Sequence, residues 1–150
     1  MDTSQLDGII TAPGFLGAFP YDELPKQPEL ELFSLVVNTS PSSGSGTHWL
    51  VLVYKSPVFY FLDSYGRNLA DETFSREFAK VIKNYVGDVK IVYNRKWLQQ
   101  LMSNVCGDYC VYFISELINK NLKRVLSVFS TDLKRNDDFI SKYVKQLAAF

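Results

Sequence analysis

The chain has 150 residues, with 16 basic and 16 acidic side chains, no formal net charge, and 47% apolar residues. That length and apolar content suit one domain with its own core, and the 11 Phe and 9 Tyr argue against disorder. Zero net charge disfavours a protein built mainly to grip phosphate backbones, and no apolar run approaches the ~20 residues of a membrane span.

Residues 1–30 are punctuated by Pro13, Gly14, Gly17, Pro20, Pro25 and Pro28 and read as an irregular wrapping segment. Phe33–Asn38 reads as a strand, followed by a flexible loop, Ser40–Gly46. Trp49–Tyr54 is a near-continuous apolar run, the pattern of a central strand covered on both faces. Lys55-Ser56-Pro57 turns the chain into Val58–Leu62, expected to be the antiparallel neighbour. Such a hairpin brings the start of one strand beside the end of the next. Asp71 is the expected N-cap of a helix running to about Tyr85, with Phe74, Phe78, Val81, Ile82 and Tyr85 on one face.

Gly87-Asp88 ends that helix and Val89–Tyr93 is a further strand. Gln99–Val105 is a connector, and Cys106 opens a helix carrying Cys110, Phe113, Ile114 and Leu117 on its apolar face. Asn136 is the expected cap of a last helix with Phe139, Ile140, Tyr143, Val144 and Leu147 inward. No repeat, heptad or linker interrupts the chain. The expected fold is α+β, one domain over residues 1–150, a central mixed or antiparallel sheet packed by helices.

Three residues stand in the order and setting that thiol chemistry needs. His48, the only histidine, precedes the first hairpin strand; Asp63 follows the second; Cys106 begins a helix. A cysteine attacks as thiolate, and a neighbouring imidazole and a helix N-terminus both lower its pKa. A carboxylate beyond the imidazole fixes its tautomer and orientation. Gln99, seven residues before Cys106, offers amide protons to an oxyanion, with Gln100 as its rival. Each residue also has an ordinary reading: His48 a half-buried packing residue, Asp63 an Asx-turn, Cys106 a small buried hydrophobe. Cys110 lies one turn inside the apolar face and reads as core. Trp49 reads as packing or a cleft wall. The two cysteines share one helix, so reduced thiols and an intracellular setting are expected. Met1–Gln5 lacks the charged and apolar regions of a signal peptide. One histidine and two cysteines make a poor zinc set, and no cofactor or metal is expected.

Gly46-Thr47-His48-Trp49, an acidic residue at a strand end, and Gln99 placed seven before Cys106-Gly107 resemble adenain, the adenovirus-type cysteine endopeptidase, and its kin from Polinton or Maverick-type elements. Phe15-Leu16-Gly17, Val37-Asn38-Thr39, Ser103 and Arg135-Asn136 extend the likeness over most of the chain. The resemblance implies an adenain-like fold, Cys106 as nucleophile, His48 as base and then acid, Asp63 as orienter, and Gln99 with the Cys106 N–H as oxyanion hole. A six-residue spacing, as in the SUMO-specific proteases of the same clan, would select Gln100. The implied activity is maturation of viral or transposon-encoded capsid precursors by cleavage next to glycine. The implied partner is a polypeptide substrate, met by a monomer in the host nucleus or cytoplasm or packaged in the virion. Activation by a disulfide-linked peptide or by DNA is not supported, because residues 87–93 hold no cysteine and the chain is neutral. Two alternatives share the motif: deconjugation of a ubiquitin-like modifier, and a protease fold kept only for binding.

Overall fold

Five strands form one mixed sheet, in the spatial order β1-β2-β3-β4-β5, in the computed structural model, which describes residues 1–149. Phe15–Pro20 (β1) runs parallel to Leu32–Asn38 (β2). β2 pairs antiparallel with Trp49–Lys55 (β3), and β3 with Val58–Leu62 (β4). Lys90–Tyr93 (β5) lies parallel to β4 at the far edge.

Alternation along the central strands divides the core in two. Val36, Val51, Val53 and Leu62 face one side, where they pack with Leu6, Cys110, Phe113, Ile114 and Ile140. Phe33, Leu35, Val37, Leu50, Leu52, Phe59 and Phe61 face the other, against Phe78, Ile82 and Val86. β3 is therefore buried on both faces, as its apolar run predicts. The first side is covered by Thr3–Ile9 (α1), Cys106–Leu117 (α3), Leu122–Leu126 (α4) and Leu133–Ala148 (α5); the second by Arg76–Val86 (α2). α3 is buried around most of its circumference, from Tyr109 through Ile114 to Leu117, because it lies between β3 and α5. A helix apolar on nearly every side can occupy only such a central place.

Four details depart from the sequence reading. The first thirty residues are not irregular throughout: α1 is closed by a capping box between Asp2 and Gln5, and β1 joins the sheet edge. Asp71 caps no helix. Its Oδ1 accepts from the Thr73 N–H at 2.9 Å in a turn, and Ser75 is the N-cap of α2. The last helix starts earlier, at Asp132, whose side chain accepts from the Arg135 N–H; Asn136 is buried inside its first turns. Phe139 stays partly exposed at that helix's surface. Among the described residues, no helix is long and apolar enough to cross a membrane.

Candidate active site

The β3–β4 register delivers the first two site residues. Val51 pairs with Leu62, so His48, just before β3, and Asp63, just after β4, emerge side by side at one end of the sheet. On the other side of β3, the β2–β3 ladder continues one step beyond Asn38 and Trp49, because the Thr39 N–H donates to the His48 carbonyl at 2.9 Å. Asn38 pins the loop that leads to His48: its Oδ1 accepts from the N–H groups of Ser40 (2.8 Å) and Thr47 (3.2 Å).

His48 Nε2 lies 2.6 Å from Asp63 Oδ1. Asp63 is fully buried, and its other oxygen is held by Arg67, whose Nε donates at 2.7 Å and whose backbone N–H donates at 3.2 Å. Asn94 fixes the backbone of the same residue. Its Oδ1 accepts from the Asp63 N–H at 3.1 Å and its Nδ2 donates to the Asp63 carbonyl at 2.8 Å. Burial opposes ionisation of Asp63, but the hydrogen bonds and charges of His48 and Arg67 outweigh it and hold the carboxyl below its ordinary range.

Cys106 is the first residue of α3. Val105, the N-cap, supplies no side-chain bond to the first-turn amides, so the positive end of the helix is left facing the thiol. Burial disfavours the thiolate here. The hydrogen bond and charge of His48, followed by the Trp49 backbone N–H, win and lower the Cys106 pKa. Reciprocally, burial would depress the His48 imidazolium, yet Asp63 and Cys106 raise it to about 9. Because Nε2 is committed to Asp63, Nδ1 is the nitrogen left for the thiol. Tyr65 stacks on the imidazole, with centroids 5.0 Å apart and planes inclined by 20°. Cys110 is buried, and burial pushes its thiol well up, which makes it an inert core residue.

Gln99 and Gln100 point to different places. Gln99 is fully buried beside the Asp63 turn: its Oε1 accepts from Ser64 Oγ at 2.5 Å, and its Nε2 donates to the carbonyl and Oγ of Ser103, each at 3.0 Å. Both acceptors belong to one residue, so a single three-centre N–H can serve them and leave the second amide proton free. Gln100 turns the other way, and its Nε2 donates to Asp137 Oδ2 on α5 at 3.2 Å. The room left by Gly107 is taken by the N-terminal segment, since a Cβ there would stand 3.0 Å from Met1 Cβ.

A cleft of about 350 Å³ is lined by His48 with Thr39, Thr47, Tyr65, Arg67 and Thr73. A second, of about 330 Å³, lies between the N-terminal residues Met1–Thr3, the Ser40–Gly46 loop and Trp49. Among the described residues, no three His, Cys, Asp or Glu side chains group as a metal site.

No family model matches the chain. It is 21% identical over 169 aligned residues to a protease of bovine adenovirus 7, an alignment that covers 97% of this chain and 84% of that protein. The chain is adenain-like. Protease is the class of enzyme that this likeness supports. A solved structure, the ASFV pS273R protease, overlaps with a TM-score of 0.48 at 20% identity, over 75% of this chain; the chain spans 44% of that protein's length.

Sequence reading of this adenain-like chain missed the residues that hold the site residues in place. Arg67 and Asn94 clamp Asp63, Ser64 orients Gln99, and Trp97 donates its indole N–H to the Gln99 carbonyl at 2.7 Å. On α5, Asn136 donates to the Leu98 carbonyl at 3.1 Å, and Asp137 accepts from the Gln100 N–H and from Tyr109. The last helix thereby pins the segment that carries Gln99. Only the pair Arg135-Asn136 carried a signal of this in the sequence.

Proposed function

We propose that the chain is a cysteine endopeptidase that processes viral or transposon-encoded structural precursors, cutting next to glycine. The observation that carries this reading is the buried His48–Asp63 pair aligned with a thiol at an uncapped helix N-terminus.

In this mechanism the Cys106 thiolate attacks the scissile carbonyl, forming a C–S bond as the carbonyl π electrons move onto oxygen. The backbone N–H of Cys106 and the Gln99 amide stabilise that oxyanion. His48, as imidazolium, gives its Nδ1 proton to the departing amine, and the thioester forms as the C–N bond breaks. Neutral His48 then takes a proton from water, which attacks the thioester; the thiolate leaves and the pair is restored. Asp63 stays ionised throughout and steadies the imidazolium. The polypeptide substrate runs through the cleft that His48 lines, and the protein acts as a monomer in the reducing interior of the host cell, where the thiol stays free.

The test is digestion of a proteome-derived peptide library, read by mass spectrometry. Cleavages with glycine at the cut, absent with Cys106→Ala, are expected. A wild-type digest indistinguishable from that of Cys106→Ala overturns the protease reading; cuts without glycine overturn the specificity.

A further inference from the structure

Asp63 is a fully buried carboxylate with its two oxygens divided between two partners. Oδ1 meets His48 at 2.6 Å, and Oδ2 meets Arg67 Nε at 2.7 Å. Arg67 Nη2 also reaches Oδ1, at 3.4 Å. The guanidinium has little freedom of its own. It lies 4.3 Å from the centroid of the Phe74 ring and 5.3 Å from that of Tyr65, and Nη1 donates to Thr73 Oγ1 at 3.0 Å.

The turn that presents Arg67 is equally constrained. The Gly66 N–H donates to the Asp63 carbonyl at 2.8 Å, and Gly66, at φ +70°, lies so close to Lys96 that a Cβ would stand 2.6 Å from its backbone. Among the described residues, only His48 and Arg67 bond the Asp63 carboxylate.

We propose that Arg67 is a positioning residue of the catalytic pair, aiming the Asp63 carboxylate at His48 and supplying the positive charge that balances it. This rests on the proposed thiol-protease reading. A carboxylate with no second partner could rotate about χ2 and would impose its full negative charge on the neighbouring thiolate. The bidentate fork of Arg67 prevents the first and offsets the second. The other charged or titratable groups that face the cluster are Cys106 and Asp108 on α3, Tyr65 in the turn, Asp71 in the following loop, Asp137 on α5 and the Met1 α-amino group. Among the described residues, none of these touches the carboxylate, and apart from His48 itself Arg67 is the basic group that does.

Removing the charge therefore displaces the pH range of thiolate reactivity upward. Lower positive potential makes the Cys106 thiolate harder to form, and Asp63 protonates more readily. Lysine keeps the charge but not the fork.

The experiment is alkylation of Cys106 by iodoacetamide from pH 4 to 10, with Cys110 resolved by mass spectrometry and folding checked by thermal unfolding. In Arg67→Met, reactivity at pH 5, relative to its own plateau, is expected to fall about 3–10-fold, the size of a one-charge change at short range in a partly wet site. Arg67→Lys is expected to restore the wild-type profile. Arg67→Gln, which keeps a neutral donor, is expected to shift as Arg67→Met does, and carries the test should the methionine variant not fold. Normalised profiles that superimpose on wild type for the uncharged variants overturn the proposal, as does an Arg67→Lys profile displaced equally far. A wild-type profile like that of an ordinary thiol overturns the protease reading itself, which separates the two failures.

Discussion

His48 donates through Nε2 to Asp63, so the nitrogen facing Cys106 is Nδ1, and the aspartate's second oxygen belongs to Arg67. The carboxylate is therefore addressed by donors on both sides. That arrangement makes it unusually intolerant of an amide.

Asp63→Asn is expected to lower turnover by about 10²–10⁴-fold. Asparagine brings one oxygen and one NH₂ to a place that needs two acceptors. Arg67, with its Nε and backbone N–H both directed at one atom, claims the oxygen. The NH₂ then meets His48 Nε2 and forces that nitrogen to be an acceptor, which puts the proton on Nδ1 and leaves no base for the thiol. Steady-state kinetics of the variant test this; turnover within threefold of wild type would show that the pairing does not set the tautomer.

The two cysteines separate chemistry from packing. Cys106→Ala is expected to abolish peptide cleavage and leave the fold intact, because the side chain sits partly exposed at a helix start and is small. Cys110→Ser is expected to keep activity and lose about 1–3 kcal/mol of stability, since a hydroxyl would be buried among Val51, Val53 and Ile114 without a designed partner. Peptide turnover and urea unfolding of both variants decide the matter; a stable Cys110→Ser protein without activity would reverse the assignment.

Gln99→Ala is expected to slow kcat by about 10²–10³-fold with little change in KM, because an oxyanion donor acts on charge that develops in the transition state. Gln100→Ala loses one bond to Asp137 but keeps its backbone N–H there, so a stability cost of about 0.5–1.5 kcal/mol with near-normal kcat is expected. A larger kcat loss in Gln100→Ala would move the oxyanion role by one residue.

The central hairpin was legible in the sequence because β3 and β4 are uninterrupted apolar runs broken by Lys55-Ser56-Pro57, and strand ends fix which residues meet. That placed His48 beside Asp63 without any knowledge of the third dimension. The first thirty residues were misjudged because the prolines and glycines that punctuate them from Pro13 to Pro28 outweighed the rest, although Asp2 and Gln5 at capping-box spacing mark the start of α1. Asp71 and Asn136 are both residue types that cap helices, yet each had a stronger competitor nearby, Ser75 and Asp132. The supporting residues were illegible for a different reason. Asn94 and Asp137 act over 31 and 28 positions respectively, on Asp63 and Tyr109, and no local pattern records a contact of that span.

Stability against pH offers a test that needs no substrate. The unfolded chain near pH 7.5 carries a proton on the cysteine, ordinary pKa 9.0, and none on the histidine, ordinary pKa 6.5. If the folded pair is the thiolate–imidazolium form, as proposed, it carries the same single proton, moved onto His48; the lowered Cys106 pKa and the His48 pKa raised to about 9 both favour that form. Folded and unfolded states bind equal numbers of protons at these two sites, so they contribute no slope to stability between roughly pH 7 and 8.5. Cys106→Ala breaks the balance. His48 in that variant is still raised by Asp63, so its contribution is fully present below pH 6.5 and is lost as pH rises through the folded value. The expected result is an unfolding free energy, measured by urea at several pH values, that is flat for wild type and declines for Cys106→Ala over this window. His48→Ala should show no such decline. Parallel curves for wild type and Cys106→Ala would mean that the proton does not sit on His48 in the folded enzyme.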